Sequence, residues 1–432
     1  VGGLAVFTGI SLIVVKQLRR KLFYPALGVS LLGFIFAVGI AVFLMSKSVA
    51  LQQRLDTVYD PQNMRLLLWK ASFQQLAINP IFGTGSGTYY YYGRQFRSEL
   101  VQNDPVHVHN DYLELLCEYG WVGVGFAFLF LAVHFFYGWR GLWEIIRLKL
   151  KPAWCANSNE LALTIGALSS LSALLVHSAM DFNLHIPANT VFVGALFGLL
   201  AQPGPSGRDE SRPSYGSWWS RLATAGAAVA LITLAAPLIP AEYLGEKSRV
   251  ALRDRHYSEA RAYAEQALAW EFKNSDLYYY HGESLHYLAL EQPDPATRVQ
   301  AHQSVAETFQ NGLEVFPQDL RLMLKQGRTL DLLGRFNEAE SCFRQAVSAD
   351  PNFGNVYAYY GVHMHLQRRF NLAEQLYKKA QSLGEMQVAK IGLQDLVRDR
   401  QVQNIDPFAE FISLEDEDEE VLFPELATPP AQ

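Results

Sequence analysis

The chain has only three cysteines in 432 residues, Cys117, Cys155 and Cys342, and they lie far apart in the sequence. An odd number of distant cysteines provides neither a disulfide framework nor a paired-cysteine metal site, so we expect unpaired packing residues. The chain also lacks a basic stripe interleaved with aromatic residues, and its formal net charge is -6. Both features argue against nucleic acid as a partner.

The sequence has no initiator methionine and no basic segment ahead of its first apolar run, which opens at Val1. We therefore expect a piece of a longer protein with further spans upstream, and not a signal peptide. Hydrophobic residues make up 50% of the chain, yet the mean hydropathy is only +0.03. This average combines two contrasting parts, because apolar runs crowd the region before residue 240 and a soluble composition follows.

Several apolar stretches are long enough to be membrane spans, since a helix needs about 20 mostly apolar residues to cross the hydrocarbon core. The first stretch reads as the truncated end of a span. The fifth is the weakest, because Pro187 and Asn189 interrupt it. The six predicted spans are residues 3–15, 22–45, 121–139, 161–180, 185–201 and 222–240.

The orientation follows from lysine and arginine, which are enriched in short cytoplasmic connections. Basic clusters follow the first, third and fifth predicted spans, so all three clusters fall on one side of the membrane. They are Lys16 to Lys21, Arg140 to Lys151, and Arg208 to Arg221. The loop 46–119, the short link near Asp181 and everything after Ala241 are therefore predicted to face the outside.

The part after Ala241 repeats itself with a period of 34 residues. Gly327, Phe343 and Ala346 recur at the same offsets as Gly361, Tyr377 and Ala380. This period, with small residues at helix crossings, resembles tetratricopeptide repeats, whose helix pairs bury their faces by stacking on neighbours. Two weaker copies precede these, the second stretched by a loop containing Glu291 to Thr297. A capping helix is expected at 386–400.

The predicted fold is all-α: a polytopic transmembrane helix bundle with a large external loop, followed by a tetratricopeptide α-solenoid. The acidic end from Ser413 has the composition of a disordered segment. The expected division is transmembrane helices at 1–45, an external catalytic loop at 46–120, further transmembrane helices at 121–240, helical repeats at 241–400, and an acidic tail at 401–432.

A dense polar motif lies at the entrance to the third predicted span. After His107, His109 and Asn110 come nine further residues and then Gly120, and Gly123 follows where the charged residues end. Charged and imidazole groups at the end of a membrane span cost free energy to keep there, so their presence indicates a functional site. Upstream, residues 64–80 have the apolar spacing of an amphipathic helix that ends at a proline.

Three glycines follow that helix at alternate positions, Gly83, Gly85 and Gly87. They are expected to form a tight turn, because glycine tolerates backbone conformations that other residues avoid. The run is not a phosphate-binding loop, since the lysine and the preceding strand of such a motif are missing.

His109, Asn110, the nine-residue spacer, Gly120 and Gly123 resemble the loop signature of the O-antigen ligase and polymerase family. These membrane glycosyltransferases act on undecaprenyl-linked saccharides. The resemblance runs from Met64 to about Leu200 and includes the stretch HSAMDFNLHIPAN. It implies transfer of a whole glycan from its lipid pyrophosphate carrier to an acceptor outside a bacterial inner membrane, with the repeats in the periplasm.

Residue chemistry is consistent with that transfer. A sugar hydroxyl is a weak nucleophile, and histidine suits the task of accepting its proton near neutral pH. We assign this role to His109. The departing pyrophosphate calls for a fixed cation with paired donors, for which Arg65 is the first choice, ahead of Arg94 and Lys70.

The remaining predicted site residues are His107, as an orienting neighbour of the base, with Asn110 and Asp181 as further substrate contacts. The loop contains no DxD motif and no clustered carboxylates, so we expect catalysis without a metal or a cofactor. The expected partners are the lipid-linked donor, a glycan or lipid acceptor, membrane lipids and a protein bound by the repeats.

Simpler roles for the same residues stay open. His109 could be an interfacial histidine bonded to backbone, and Arg65 could reach toward lipid headgroups from an interfacial helix. The polar group of His177, Asp181 and His185 is as consistent with a structural network as with substrate contact.

Other functions also stay open. The motif does not distinguish ligation from repeat-unit polymerisation or from transfer to a protein hydroxyl. A solute transporter is a further alternative, although the predicted spans lack charges at mid-membrane. A membrane-anchored scaffold that acts only through its repeats is another.

Overall fold

The structure is a computed structural model that describes residues 2–18, 20–48, 63–148, 159–201 and 215–399. Every regular element in these residues is a helix, so the predicted all-α class is confirmed. Several predicted features lie outside the described residues. They are the acidic tail at 401–432, part of the external loop at 49–62, and the basic connections at 149–158 and 202–214.

The helices are numbered here in chain order, and two short 3-10 turns accompany them. The helices are α1 (Gly2–Leu18), α2 (Arg20–Lys47), α3 (Met64–Leu76), α4 (Tyr89–Tyr92), α5 (Asp111–Leu148), α6 (Asn159–Ser178), α7 (Pro187–Leu200), α8 (Tyr215–Ala235), α9 (Leu238–Arg253), α10 (Tyr257–Trp270), α11 (Ser275–Leu290), α12 (Pro295–Val315), α13 (Leu320–Leu332), α14 (Phe336–Ala349), α15 (Gly354–Leu366), α16 (Phe370–Leu383) and α17 (Gln387–Asp399). The 3-10 turns are Gly93–Phe96 and Asn183–His185.

Four of the described helical segments are long and apolar enough to cross a membrane: Arg20–Leu44, Asp111–Arg147, Asn159–Ser178 and Arg221–Arg253. The first and fifth predicted spans are also helical, but they are shorter. α1, α5, α6 and α7 share an apolar core that includes Ile10, Leu142, Leu168 and Leu196. Many large apolar side chains outside this core are exposed, as a lipid-facing surface requires.

The long helix α5 is broken at Gly120, whose φ of 62° and ψ of -168° are not helical. The break frees backbone groups that a continuous helix would pair. The segment from Pro80 to Gly85 pairs them: Trp121 N donates to Pro80 O, and Gly85 N donates to Glu118 O. Buried backbone groups must find partners, so the glycine-rich segment stabilises the break and fixes the entry of the span.

Two glycines make this close approach possible. A Cβ on Gly120 would lie 2.3 Å from Ile81 O, and a Cβ on Gly83 would lie 2.2 Å from Glu118 O. Gly83, Gly85 and Gly87 all have positive φ, which agrees with the expected tight turn. The turn therefore also holds α5 through backbone hydrogen bonds, and this contact is called the clamp below.

Helix pairs form the C-terminal repeats. Gly327 faces the ring of Phe343, and 34 residues later Gly361 faces the ring of Tyr377, so each crossing joins a small residue to an aromatic one. These glycines let the paired helices approach closely. The expected capping helix is present as α17. The predicted loop in the weaker copy is shorter than expected, because α12 begins at Pro295 and takes in Thr297.

The chain divides into two compact units, and the division is not a simple cut in the sequence. One unit comprises residues 1–96 and 104–213; the other comprises residues 97–103 and 214–432. A short piece of the predicted external loop therefore belongs to the repeat unit. The division of the chain into five segments stays a prediction. That prediction did not include a division of the external loop between the two units.

Segment 97–103 is held in the repeat unit by specific contacts. Arg97 Nη2 lies 3.0 Å from Asp350 Oδ2, and both side chains are buried. Gln102 donates from Nε2 to Asn352 O at 2.8 Å and accepts from Gly354 N at 3.0 Å. Because the carboxamide matches both a backbone acceptor and a backbone donor, the segment docks in one defined register.

Candidate active site

His109 has a strained backbone at the start of α5. Its φ is 55°, in the left-handed region that non-glycine residues rarely occupy. The next residue, Asn110, caps the helix, because its Oδ1 accepts from Tyr112 N at 3.0 Å and Leu113 N at 3.1 Å. The cap fixes the direction in which the chain enters α5, and the strain at His109 is typical of functional sites.

His109 contacts Asp181 although the two are distant in sequence, and the charge of Arg65 is near enough to affect the same carboxylate. His109 Nδ1 lies 3.3 Å from Asp181 Oδ1, and each side chain is about one-third exposed. Partial burial would by itself raise the pKa of the Asp181 carboxyl, but the Phe182 N–H, His109 and the positive charge of Arg65 lower it below its ordinary value. Asp181 is therefore ionised near neutral pH, in contact with the His109 imidazole.

Two further imidazoles, those of His107 and His185, lie beside this group. His107 Nδ1 and His185 Nε2 lie 2.8 and 3.2 Å from the same oxygen, Glu114 Oε1. His185 Nδ1 faces Asp111 Oδ1 at 3.2 Å. The hydrogen bond with Asp111 raises the pKa of His185 above its ordinary value, and the charge of Glu114 adds to this despite partial burial.

The ring of Phe182 contacts both His107 and His109. It stacks on His107 with centroids 4.7 Å apart and meets His109 edge-on at 4.8 Å. The turn that carries Phe182 is attached to α5, because Asp111 N donates to Asp181 O and Leu184 N donates to Asp111 Oδ2. The predicted external link near Asp181 is thus one wall of the candidate site.

The other predicted cations occupy different surroundings. Arg94 is buried, donates from Nη2 to Asp104 Oδ2 at 2.6 Å, and stacks on Tyr90. Lys70 is exposed on α3. Both remain predicted substrate contacts, as does Arg65, whose positive charge helps to lower the pKa of the Asp181 carboxyl. Asn110 has a capping role that the sequence analysis did not assign to it.

Two acidic residues in this site were missed in the sequence analysis. Asp111 and Glu114 are three residues apart in the first turn of α5, a spacing that places both on one helix face. That spacing is visible in the sequence. The position of His185 beside them is not, because 74 residues separate it from Asp111.

Comparison with known proteins found similarity in two regions of the chain. Residues 2–129 match the family described as O-antigen ligase, and residues 320–353 match the tetratricopeptide repeat. A search of curated proteins found no match. A solved tetratricopeptide-repeat protein from Thermus thermophilus is 18% identical, with a TM-score of 0.34 over 42% of this chain and 95% of the other.

The ligase match supports a glycan-transfer function at a membrane and a glycosyltransferase-like ligase activity. It implies a lipid-linked glycan donor and an acceptor, and the repeats imply protein interaction. Two separate regions of the chain are therefore similar to known families: residues 2–129 to O-antigen ligases and residues 320–353 to the tetratricopeptide repeat.

Proposed function

We propose that this protein transfers a glycan from an undecaprenyl pyrophosphate carrier to an acceptor hydroxyl at the outer face of a bacterial inner membrane. The observation that carries the proposal is the group formed by His109, Asp181 and Arg65 at the mouth of α5. It combines a base, a carboxylate that orients the base, and a cation in one partly exposed site.

His109 is the general base. An imidazole that donates from Nδ1 to a carboxylate keeps its lone pair on Nε2, so the contact with Asp181 sets the tautomer that accepts a proton. The acceptor oxygen attacks the anomeric carbon and its proton passes to Nε2. The bond between that carbon and the pyrophosphate oxygen breaks, and the electron pair leaves with the lipid pyrophosphate.

Arg65 binds the leaving group. Its side chain is exposed at the N-terminus of α3, and Asn63 Oδ1 accepts from Arg65 N at 2.9 Å to cap that helix. A guanidinium gives phosphate oxygens two parallel donors and a charge that persists at all working pH values. The charge that develops on the pyrophosphate is therefore stabilised where it forms.

The contacts of segment 97–103 support one shared side of the membrane for the loop and the repeats. The segment's contacts with Asp350, Asn352 and Gly354 belong to the repeat unit. A piece of the loop and the repeats can join one compact unit only if both are on the same side of the membrane. The basic connections favour the cytoplasm for the opposite side, which supports a periplasmic repeat domain and, with it, a periplasmic partner.

The test is transfer by the full chain in membranes or detergent, with a lipid-linked donor and a candidate acceptor. His109→Ala is expected to lower the rate about 100- to 10,000-fold, the usual contribution of a general base. His134→Ala is the matched control, because that imidazole lies on α5, the helix that His109 precedes, and bonds to Phe130 O. Full transfer by folded His109→Ala protein would refute the proposed role.

A further inference from the structure

The strongest unassigned feature is the cluster of His107, Glu114 and His185. Their ligand atoms, one per residue, all lie within 4.8 Å of one another. Two imidazoles and one carboxylate are a common set of protein ligands for zinc. In tetrahedral zinc sites the bonds of about 2.0–2.1 Å place ligand atoms roughly 3.3 Å apart, and the two nitrogen-to-Glu114 distances of 2.8 and 3.2 Å are close to that value.

The charge balance favours a cation here. The side chains of Asp111 and Glu114 are each only 3% exposed. Within the described part of the chain, neither carboxylate is paired with a lysine or arginine. Buried carboxylates need a compensating charge. That charge comes either from the imidazoles or from a metal ion held between them.

The arrangement around His185 is also that of a metal ligand. Nε2 faces Glu114 while Nδ1 faces Asp111. A histidine ligand that coordinates through one nitrogen and gives its other N–H to a carboxylate is the usual outer arrangement of zinc sites, because the carboxylate fixes the ring. The second oxygen of Glu114 accepts from Val108 N at 2.9 Å, which leaves Oε1 aimed at the two imidazoles.

We propose that His107, Glu114 and His185 bind a divalent cation of the zinc type, with Asp111 orienting His185. Such an ion connects three elements that are separate in sequence: the loop before α5, the first turn of α5, and the 3-10 turn before α7. Three protein ligands leave a fourth position for water or a substrate oxygen. His107 is two residues from His109, so the ion also fixes the backbone that carries the proposed base.

The experiment measures zinc binding directly and does not depend on transfer activity. The full chain in detergent is stripped with a chelator, titrated with Zn²⁺ against a competing indicator dye, desalted, and analysed for metal content. We expect about one tightly held Zn²⁺ per chain. His185→Gln and Glu114→Gln are expected to lose this stoichiometric binding, and Asp111→Asn to weaken it about 10- to 100-fold, as loss of an orienting carboxylate does.

His134→Gln is the control for zinc held by other histidines, and it is expected to bind like wild type. Zn²⁺ is also expected to raise the unfolding temperature of wild type and not that of His185→Gln, because a ligand specific for the folded state stabilises it. Wild-type protein that holds no zinc, or equal binding by His185→Gln, would overturn the proposal. If wild-type protein binds no zinc, the proposed site is ruled out even if the variants fail to fold. That result would not bear on the role of His109.

Discussion

His109 Nδ1 and Asp181 Oδ1 lie 3.3 Å apart although 72 residues separate them in the chain. The contact joins the residues just before α5 to the turn after α6, and so connects the ends of two apolar helices. It places an imidazole beside a carboxylate whose pKa is lowered and which is therefore charged. The predictions below test what this pairing, and the backbone that supports it, contribute.

Asp181→Asn is expected to lower transfer by about 10- to 100-fold, because the imidazole loses the carboxylate that sets its orientation and tautomer. A carboxyl group whose pKa is lowered from 3.8 is already ionised at pH 5 and stays so at higher pH. The loss should therefore be present at about pH 7.5, where the wild-type carboxylate is charged. Transfer rates of both proteins at this pH would check this; equal rates would contradict an orienting role for Asp181.

Arg65→Ala is expected to reduce transfer about 100- to 1,000-fold, the cost of removing a group that stabilises transition-state charge. Arg65→Lys should recover only part of this loss, because lysine lacks the paired donors of arginine. The measurement is the transfer rate at saturating acceptor over a range of donor concentrations.

Arg94→Ala separates this role from a structural one. Arg94 is buried against Asp104, so its removal leaves a buried carboxylate without that partner. Its main effect should be a lower unfolding temperature, with transfer per folded molecule largely retained. Loss of transfer in fully folded Arg94→Ala protein, with Arg65→Ala active, would assign the pyrophosphate to Arg94 instead.

Gly120→Ala is expected to destabilise the membrane domain by about 1–3 kcal/mol from backbone strain alone. The added Cβ also lies 2.3 Å from Ile81 O, so the clamp between the glycine turn and α5 must open. Thermal unfolding in detergent measures the effect. Gly125→Ala is the control on the same helix, because a Cβ there meets nothing within 4 Å; equal stability of the two variants would show that the clamp is unimportant.

The repeats are expected to react with a labelling reagent that is added outside the cell membrane. Ser341→Cys, on the exposed face of α14, should react with a membrane-impermeant maleimide in intact spheroplasts after the native cysteines are replaced. Arg147→Cys, at the end of α5, should react only after permeabilisation, since basic span ends face the cytoplasm. The reverse pattern would place both the loop and the repeats in the cytoplasm.

The predictability of the site differs from residue to residue. The turn at Gly83, Gly85 and Gly87 could be predicted, because it depends on backbone conformations that glycine favours. The role of His109 stays a prediction from its place at the end of a span. The capping role of Asn110 was also visible in principle, since it directly precedes an apolar helix. The cluster of Glu114 with His107 and His185 was not, because it requires two turns to fold against each other.

The same contrast holds for the whole chain. The sequence by itself determined the all-α class, the apolar helices and the 34-residue repeats, because hydrophobic periodicity and repeat length are local properties of the chain. Only the tertiary structure decided that Asp181 meets His109, that the Pro80–Gly85 segment completes the hydrogen bonds of the broken α5, and that residues 97–103 join the repeat unit. These contacts depend on the path of the backbone between distant segments, which no short-range pattern of side chains encodes.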